Sequence, residues 1–227
     1  MTMMFPERPA GVVRAKELMP RKLWSHGSSV QNPLNDDALW SYHALTRCLV
    51  ELYGSASLTA LMKIMREAQE QEEAVCWIRT DSTLFYPPDI LMHGVDPGMV
   101  YIMNAGSEYR QDQPYAAAAG KVADILLRLH AFRCVIMDIG PRSMRMGVLS
   151  RLIRFARVHN AAIICLTTGE GHLGSLVSVR VEAMFEPFDY SPDSWPHFSY
   201  RMRAVKDRRT PALWERVEKC GHAMRLR

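Results

Sequence analysis

Cys48-Leu49-Val50-Glu51-Leu52-Tyr53 runs straight into Gly54-Ser55-Ala56-Ser57 and then into Leu58-Thr59-Ala60-Leu61-Met62. A short apolar run closed by Gly-Ser has the pattern of a buried strand. Behind it Leu58, Leu61, Met62, Met65 and Ala68 recur at helical spacing, with Lys63, Arg66, Glu67 and Glu70 elsewhere on the turn. Ser57 is placed to cap that helix. A strand that turns directly into an amphipathic helix is the first half of a crossover unit, and crossovers build parallel sheets.

Downstream the same alternation repeats. Strands are expected over 74–78, 99–103, 134–137 and 161–166, and helices over 88–93, 114–130 and 148–158, with Gly94 stopping the first of these. The fold class is therefore α/β, with a mainly parallel central sheet flanked by helices. The last part changes period. Phe198, Tyr200, Met202 and Ala204 alternate with Ser199, Arg201 and Arg203. Together with 179–184 and 223–226, this predicts antiparallel strands at the C-terminal edge. Upstream, prolines 6, 9, 20 and 33 break up the first 46 residues, where only 12–19 suggests a helical turn or two. Residues 1–46 are expected to be an arm or docking segment, and 47–227 the core domain. Trp24, Trp40 and Tyr42 are candidate interface anchors or covers for their own sheet.

A chain of 227 residues, 48% hydrophobic, can bury one substantial core. No apolar run reaches the ~18 residues of a membrane span. The start lacks a signal-peptide pattern, so a soluble, cytoplasmic protein is expected. Cys48, Cys76, Cys134, Cys165 and Cys220 show no CxxC spacing and read as buried thiols rather than zinc ligands. No metal site is expected, and the dispersed histidines form no catalytic or metal-binding spacing. His93, His130 and His159 are placed near helix ends. The net charge of +4 is uneven, because residues 201–227 hold nine Lys/Arg against three Asp/Glu. Such a segment suits phosphate or an acidic partner, or is simply a solvated edge.

These motifs, taken in order, resemble the RecA-like superfamily. Glu51-Leu52-Tyr53-Gly54 resembles the strand and turn that open a RecA nucleotide site. Trp77-Ile78-Arg79-Thr80-Asp81 with Gly94-Val95-Asp96 resembles the stretch holding the catalytic glutamate. Cys134 to Asp138 resembles the Walker B strand. Gly174-Ser175-Leu176-Val177-Ser178-Val179-Arg180 resembles the end of the second DNA loop, and Ala204-Val205-Lys206-Asp207-Arg208-Arg209 the lysine-bearing turn near the subunit interface. The resemblance covers about residues 47–210, and the last two segments are most similar to the ImuA family. It implies a RecA-related partner of the polymerase-like protein ImuB in SOS-induced translesion synthesis, contacting RecA as well.

The nucleotide chemistry departs from the family. A P-loop needs GxxxxGK[ST], whose amides cradle phosphates and whose lysine reaches them. Gly54, Ser55 and Ser57 stand in a turn about four residues short of that motif, and the first lysine, Lys63, lies well into the helix. Asp81 stands where the family has Glu; a misplacement of ~1 Å costs about 100-fold in rate, and a turn role competes. Asp138 keeps the Walker B position with no nucleotide metal to serve. No catalytic residue, cofactor or ATPase activity is expected.

Candidate contacts to DNA or a partner remain. Arg151, Arg154 and Arg157 line the polar face of the 148–158 helix, opposite Val148, Leu149, Leu152, Phe155 and Ala156. The ordinary reading of such a row is a solvated face, and the functional one a surface for an acidic partner or a DNA backbone. Arg142, Arg145 and Arg180 fall in the two zones that resemble RecA's DNA loops. Both are short and lack aromatic stacking platforms, so only weak, salt-sensitive single-stranded DNA binding is expected. Arg201, Arg203, Lys206, Arg208 and Arg209 are the stronger candidates. A homo-oligomer stays open. Besides a non-catalytic accessory protein, the sequence allows a SulA-type division inhibitor and, third, an active DNA-dependent ATPase.

Overall fold

The computed structural model describes residues 12–14, 39–79, 87–105, 115–186 and 199–219. In chain order these form β1 (Val12–Arg14), α1 (Tyr42–Leu45), β2 (Leu49–Tyr53), α2 (Ser57–Glu70), β3 (Val75–Arg79), α3 (Pro87–Met92), a 3-10 turn (Pro97–Met99), β4 (Val100–Asn104), α4 (Tyr115–Arg128), β5 (Cys134–Gly140), α5 (Met146–His159), β6 (Ala162–Thr167), β7 (Val179–Phe185), β8 (Ser199–Asp207) and β9 (Glu215–Lys219).

One nine-stranded sheet runs in the order β1-β4-β3-β5-β6-β2-β7-β8-β9. The six strands from β4 to β7 are parallel, and β1, β8 and β9 are antiparallel to their neighbours. The central strands β2, β3, β5 and β6 are buried on both faces, which is why they read as continuous apolar runs. On one face α1, α2 and Ile90 of α3 pack on Val50, Leu52, Trp77, Ile136 and Ile164. On the other, α4 and α5 pack on Leu49, Cys76, Ile78, Val135, Met137 and Ile163. Gly120 lets the two helices of that layer approach, since a Cβ there would lie 2.6 Å from the Val148 side chain. Among the described residues, no helix is long and apolar enough to cross a membrane.

Four sequence expectations change. Val12–Arg14 is a strand rather than a helical turn; its β-branched Val12-Val13 pair suits extended backbone, and β4 offers an edge to pair with. Antiparallel strands therefore occupy both edges of the sheet. The 179–184 stretch belongs to the parallel body, because β7 runs parallel to β2 and turns antiparallel only against β8. Ser57 does not cap α2; Ala56 holds the cap position without a side-chain bond, and Ser57 is the first helical residue. Among the described residues the edge strand beyond β8 is β9, whose Glu-Arg-Val-Glu-Lys sequence carries no strand signal. Charge on an edge strand discourages further pairing. The strand expected at 223–226 lies outside the described residues.

The described end of the 1–46 segment packs with the domain. Trp40, Tyr42 and Leu45 are buried in the same core as β2 and α2. Trp40 Nε1 donates to the Ala60 carbonyl at 3.1 Å, and the Tyr42 amide donates to Glu67 at 2.7 Å. Trp40 and Tyr42 thus cover their own chain; Trp24 lies outside the described residues.

Candidate functional site

β2 is the topological switch point. The chain leaves it through α2 toward β3, beyond β6 and β5, and returns from β6 to β7 on its other side. Open α/β sheets bind ligands outside the carboxyl ends of strands at such a point. A cleft lies there, lined by Tyr53, Gly54, Ser55 and Ser57 after β2, Thr167, Thr168 and Gly169 after β6, and Glu182 and Met184 of β7. Among the described residues no basic side chain lines it, and Glu182 brings a carboxylate. Burial, then Glu182 and Glu170, push the Tyr53 phenol up to about 12, which keeps it protonated.

The turn after β2 is closed onto β7. The Ala56 amide donates to the Ala183 carbonyl at 3.0 Å and the Ser57 amide to Gly54 at 3.1 Å. Ser55 Oγ accepts from the Phe185 amide at 3.1 Å. Gly54 has φ +105, and a Cβ there would stand 2.2 Å from the Ala183 carbonyl oxygen. A phosphate cradle works through amides aimed at the ligand. Here the amides of Ala56 and Ser57 already have partners. Asp138 sits half-buried on β5, in register with Arg79 and Leu166, two strands from β2. Asp81 lies outside the described residues.

The connection from β6 to β7, residues 168–178, contains no helix. It crosses the α4–α5 face of the sheet, with Leu173 and Val177 buried there. Irregular backbone in such a place needs partners for its polar groups. Glu51, fully buried in β2, accepts from the Leu173 amide at 3.2 Å and from Arg180 Nε at 2.6 Å. Arg180 also donates to the Gly174 carbonyl at 2.7 Å. Lys206 and Arg208 both donate to the Ser175 carbonyl, at 2.6 and 2.7 Å. Burial, then Arg208 and Arg180, hold the Lys206 ammonium below its usual range. Three of the basic residues expected to meet DNA or a partner therefore fasten this crossover.

The remaining C-terminal arginines among the described residues are also engaged. Arg201 pairs with Glu186 at 2.5 Å and with Glu215, and Arg203 with Glu182 at 2.9 Å. Arg209 donates to Asp207 and to the carbonyls of Ala44 and Leu39, at 2.8 and 2.9 Å, tying β8 to the chain before β2. Burial raises the Asp207 carboxyl, but bonds from Arg209 and from Trp214 Nε1, at 2.9 Å, outweigh it and hold the pKa below the ordinary carboxylate value. The stability this contributes is full above the unfolded pKa, near ~3.9, and is lost as pH falls through the lower folded value. Unfolding temperature measured from about pH 4 down to about pH 2 should fall more steeply for the native chain than for Asp207→Asn.

α5 differs. Leu149, Leu152 and Ala156 are buried, whereas Arg145, at its N-cap, Arg151, Arg154 and Arg157 are exposed. Among the described residues, Arg145, Arg154 and Arg157 form no ion pair with a carboxylate. Arg154 lies over the Phe155 ring at 5.2 Å, and Arg151 reaches Asp124 at 3.9 Å. Arg142 lies near the Ile139 carbonyl at 3.5 Å. Sequence spacing did not foresee that His130 and His159 meet, with ring centroids 3.9 Å apart where α4 and α5 end. Of the cysteines, Cys48, Cys76, Cys134 and Cys165 are buried free thiols as expected. Burial pushes the Cys134 thiol up to about 12, far from a reactive thiolate. Cys220 lies outside the described residues. No protein-family model matches the chain, and no curated protein is significantly similar to it.

Proposed function

We propose that this chain is a RecA-like domain whose nucleotide site has closed, acting as an ImuA-type accessory protein of SOS-induced translesion synthesis. In this reading it docks an ImuB-like polymerase partner and RecA and hydrolyses nothing. The strand order supports it: β2 lies at the switch point, and β5, which carries Asp138, lies beyond one intervening strand. The carrying observation is the turn at Gly54–Ser57, whose Ala56 and Ser57 amides bond to β7 and to the turn itself. A recombinase scaffold in that state keeps its protein-docking surfaces and loses its fuel cycle.

The test pairs two measurements on the full chain. Calorimetric titration with Mg-ATP is expected to be flat at concentrations that would reveal a Kd of about 1 mM, a binding free energy of only about −4 kcal/mol. Co-purification with ImuB-like protein and with RecA on single-stranded DNA is expected to succeed. Measurable nucleotide binding would overturn the closed cradle. Capture of FtsZ in place of those partners would assign the chain to the SulA-type inhibitors instead.

A further inference from the structure

The outer surface of the α4–α5 layer is both basic and apolar. From α4 and the turn after it come Lys121, Ile125, Arg128 and Leu129, and from α5 Arg151, Arg154, Arg157 and Val158, all exposed. Ile125, Leu129 and Val158 are 51%, 69% and 66% exposed, large values for aliphatic side chains. Asp124 is the sole carboxylate on the two helices, and it pairs with both Arg128 and Arg151, setting two guanidinium groups side by side along the seam. Phe155 lies beneath Arg128 and Arg154 and against His159. None of these residues lines the cleft at β2.

We propose that this face docks an acidic amphipathic helix of a partner protein. Lys121 and the four arginines face a carboxylate row, and Ile125, Leu129 and Val158 give its apolar stripe a surface to cover. Guanidinium groups suit the purpose, since their planar fork meets carboxylates bidentately, and the helix-on-surface mode reads alternating apolar anchors and charge. A nucleic-acid backbone would use the arginines but would leave the three aliphatics against a polyanion. Phe155, covered by its neighbours, offers no stacking platform to bases. Arg201, Arg203, Arg208 and Arg209 are bonded within the chain, whereas Arg154 and Arg157 of this face form no ion pair among the described residues. The inference rests on the accessory-protein reading for the partner's role, but its binding chemistry can be tested alone.

The first probe is a labelled helical peptide with Leu on one face and Glu on the other, followed by fluorescence anisotropy on the full chain. The control peptide carries Lys in place of Glu. The acidic peptide should bind at least tenfold more tightly than the control. Arg154→Glu/Arg157→Glu and, separately, Ile125→Ser/Leu129→Ser should each weaken it at least tenfold at unchanged unfolding temperature, because all four side chains are solvent-exposed and neither arginine pairs with a carboxylate among the described residues. Absence of binding by the native chain overturns the proposal. So does a result in which only the arginine variant matters and duplex DNA displaces the peptide, which would make the occupant a nucleic acid. The same variants are then tested against ImuB-like protein and RecA. If the native chain binds the peptide but neither protein, the accessory role fails while the docking chemistry stands. If both proteins bind the variants as well as the native chain, the docking face is wrong while the role survives.

Discussion

Arg180→Ala is expected to destabilise the domain by about 3–5 kcal/mol, the cost of breaking a buried ion pair from one side. Glu51 is fully buried in the strand at the centre of the switch, and Arg180 is the cation that meets it, at 2.6 Å. Without the guanidinium the carboxylate keeps, among the described residues, the Leu173 amide alone, and the Gly174 carbonyl loses the Arg180 donor. Both losses fall on the 168–178 crossover, so hydrogen exchange there should rise before the rest of the sheet opens. Removing both charges together, in Glu51→Leu/Arg180→Met, should cost less than the sum of the single changes, because no uncompensated charge stays buried. Denaturant unfolding of the two single variants and the double variant measures that coupling. Strict additivity would mean that the pair does not hold the crossover.

Arg180 also shows where sequence reading stops. The β2–turn–α2 stretch was legible because burial on both sheet faces leaves a continuous apolar run and α2 shows helical spacing. The two faces of α5 were legible for the same reason. The state of each arginine was not. In sequence Arg180 reads as part of a loop that meets DNA, and Lys206 and Arg208 as contacts to phosphate or an acidic partner, yet they bond to a carboxylate on β2 and to carbonyls of the crossover. Those partners lie far away along the chain, and only the sheet order brings them together. One signal was present: Glu51 is a lone carboxylate inside an apolar run, and a buried charge requires a partner. The missing GK pair was visible in the sequence, but the closing of the turn onto Ala183 depends on β7 lying beside β2, which local patterns do not specify. β9 escaped because alternating charges on a half-exposed edge carry no hydrophobic period.

Gly54→Ala should be as damaging, by about 2–6 kcal/mol. Two effects combine. The residue adopts φ +105, where an L side chain is strained, a cost of about 1–3 kcal/mol. The new methyl would also stand 2.2 Å from the Ala183 carbonyl oxygen, so the turn or β7 must shift, which is overpacking of about 1–3 kcal/mol. The shift would fall on the contacts that close the cradle, since Ala56 donates to that same carbonyl and Phe185 to Ser55. Thermal unfolding of the variant measures the penalty. A Gly54→Ala protein that unfolds at the native temperature would show that the turn stands off β7 readily. The amides of the turn would then be open to a phosphate, and the case for a closed nucleotide site would fall with them. A large loss of stability, with nucleotide binding still absent from the native chain, is what a turn locked against its neighbouring strand requires.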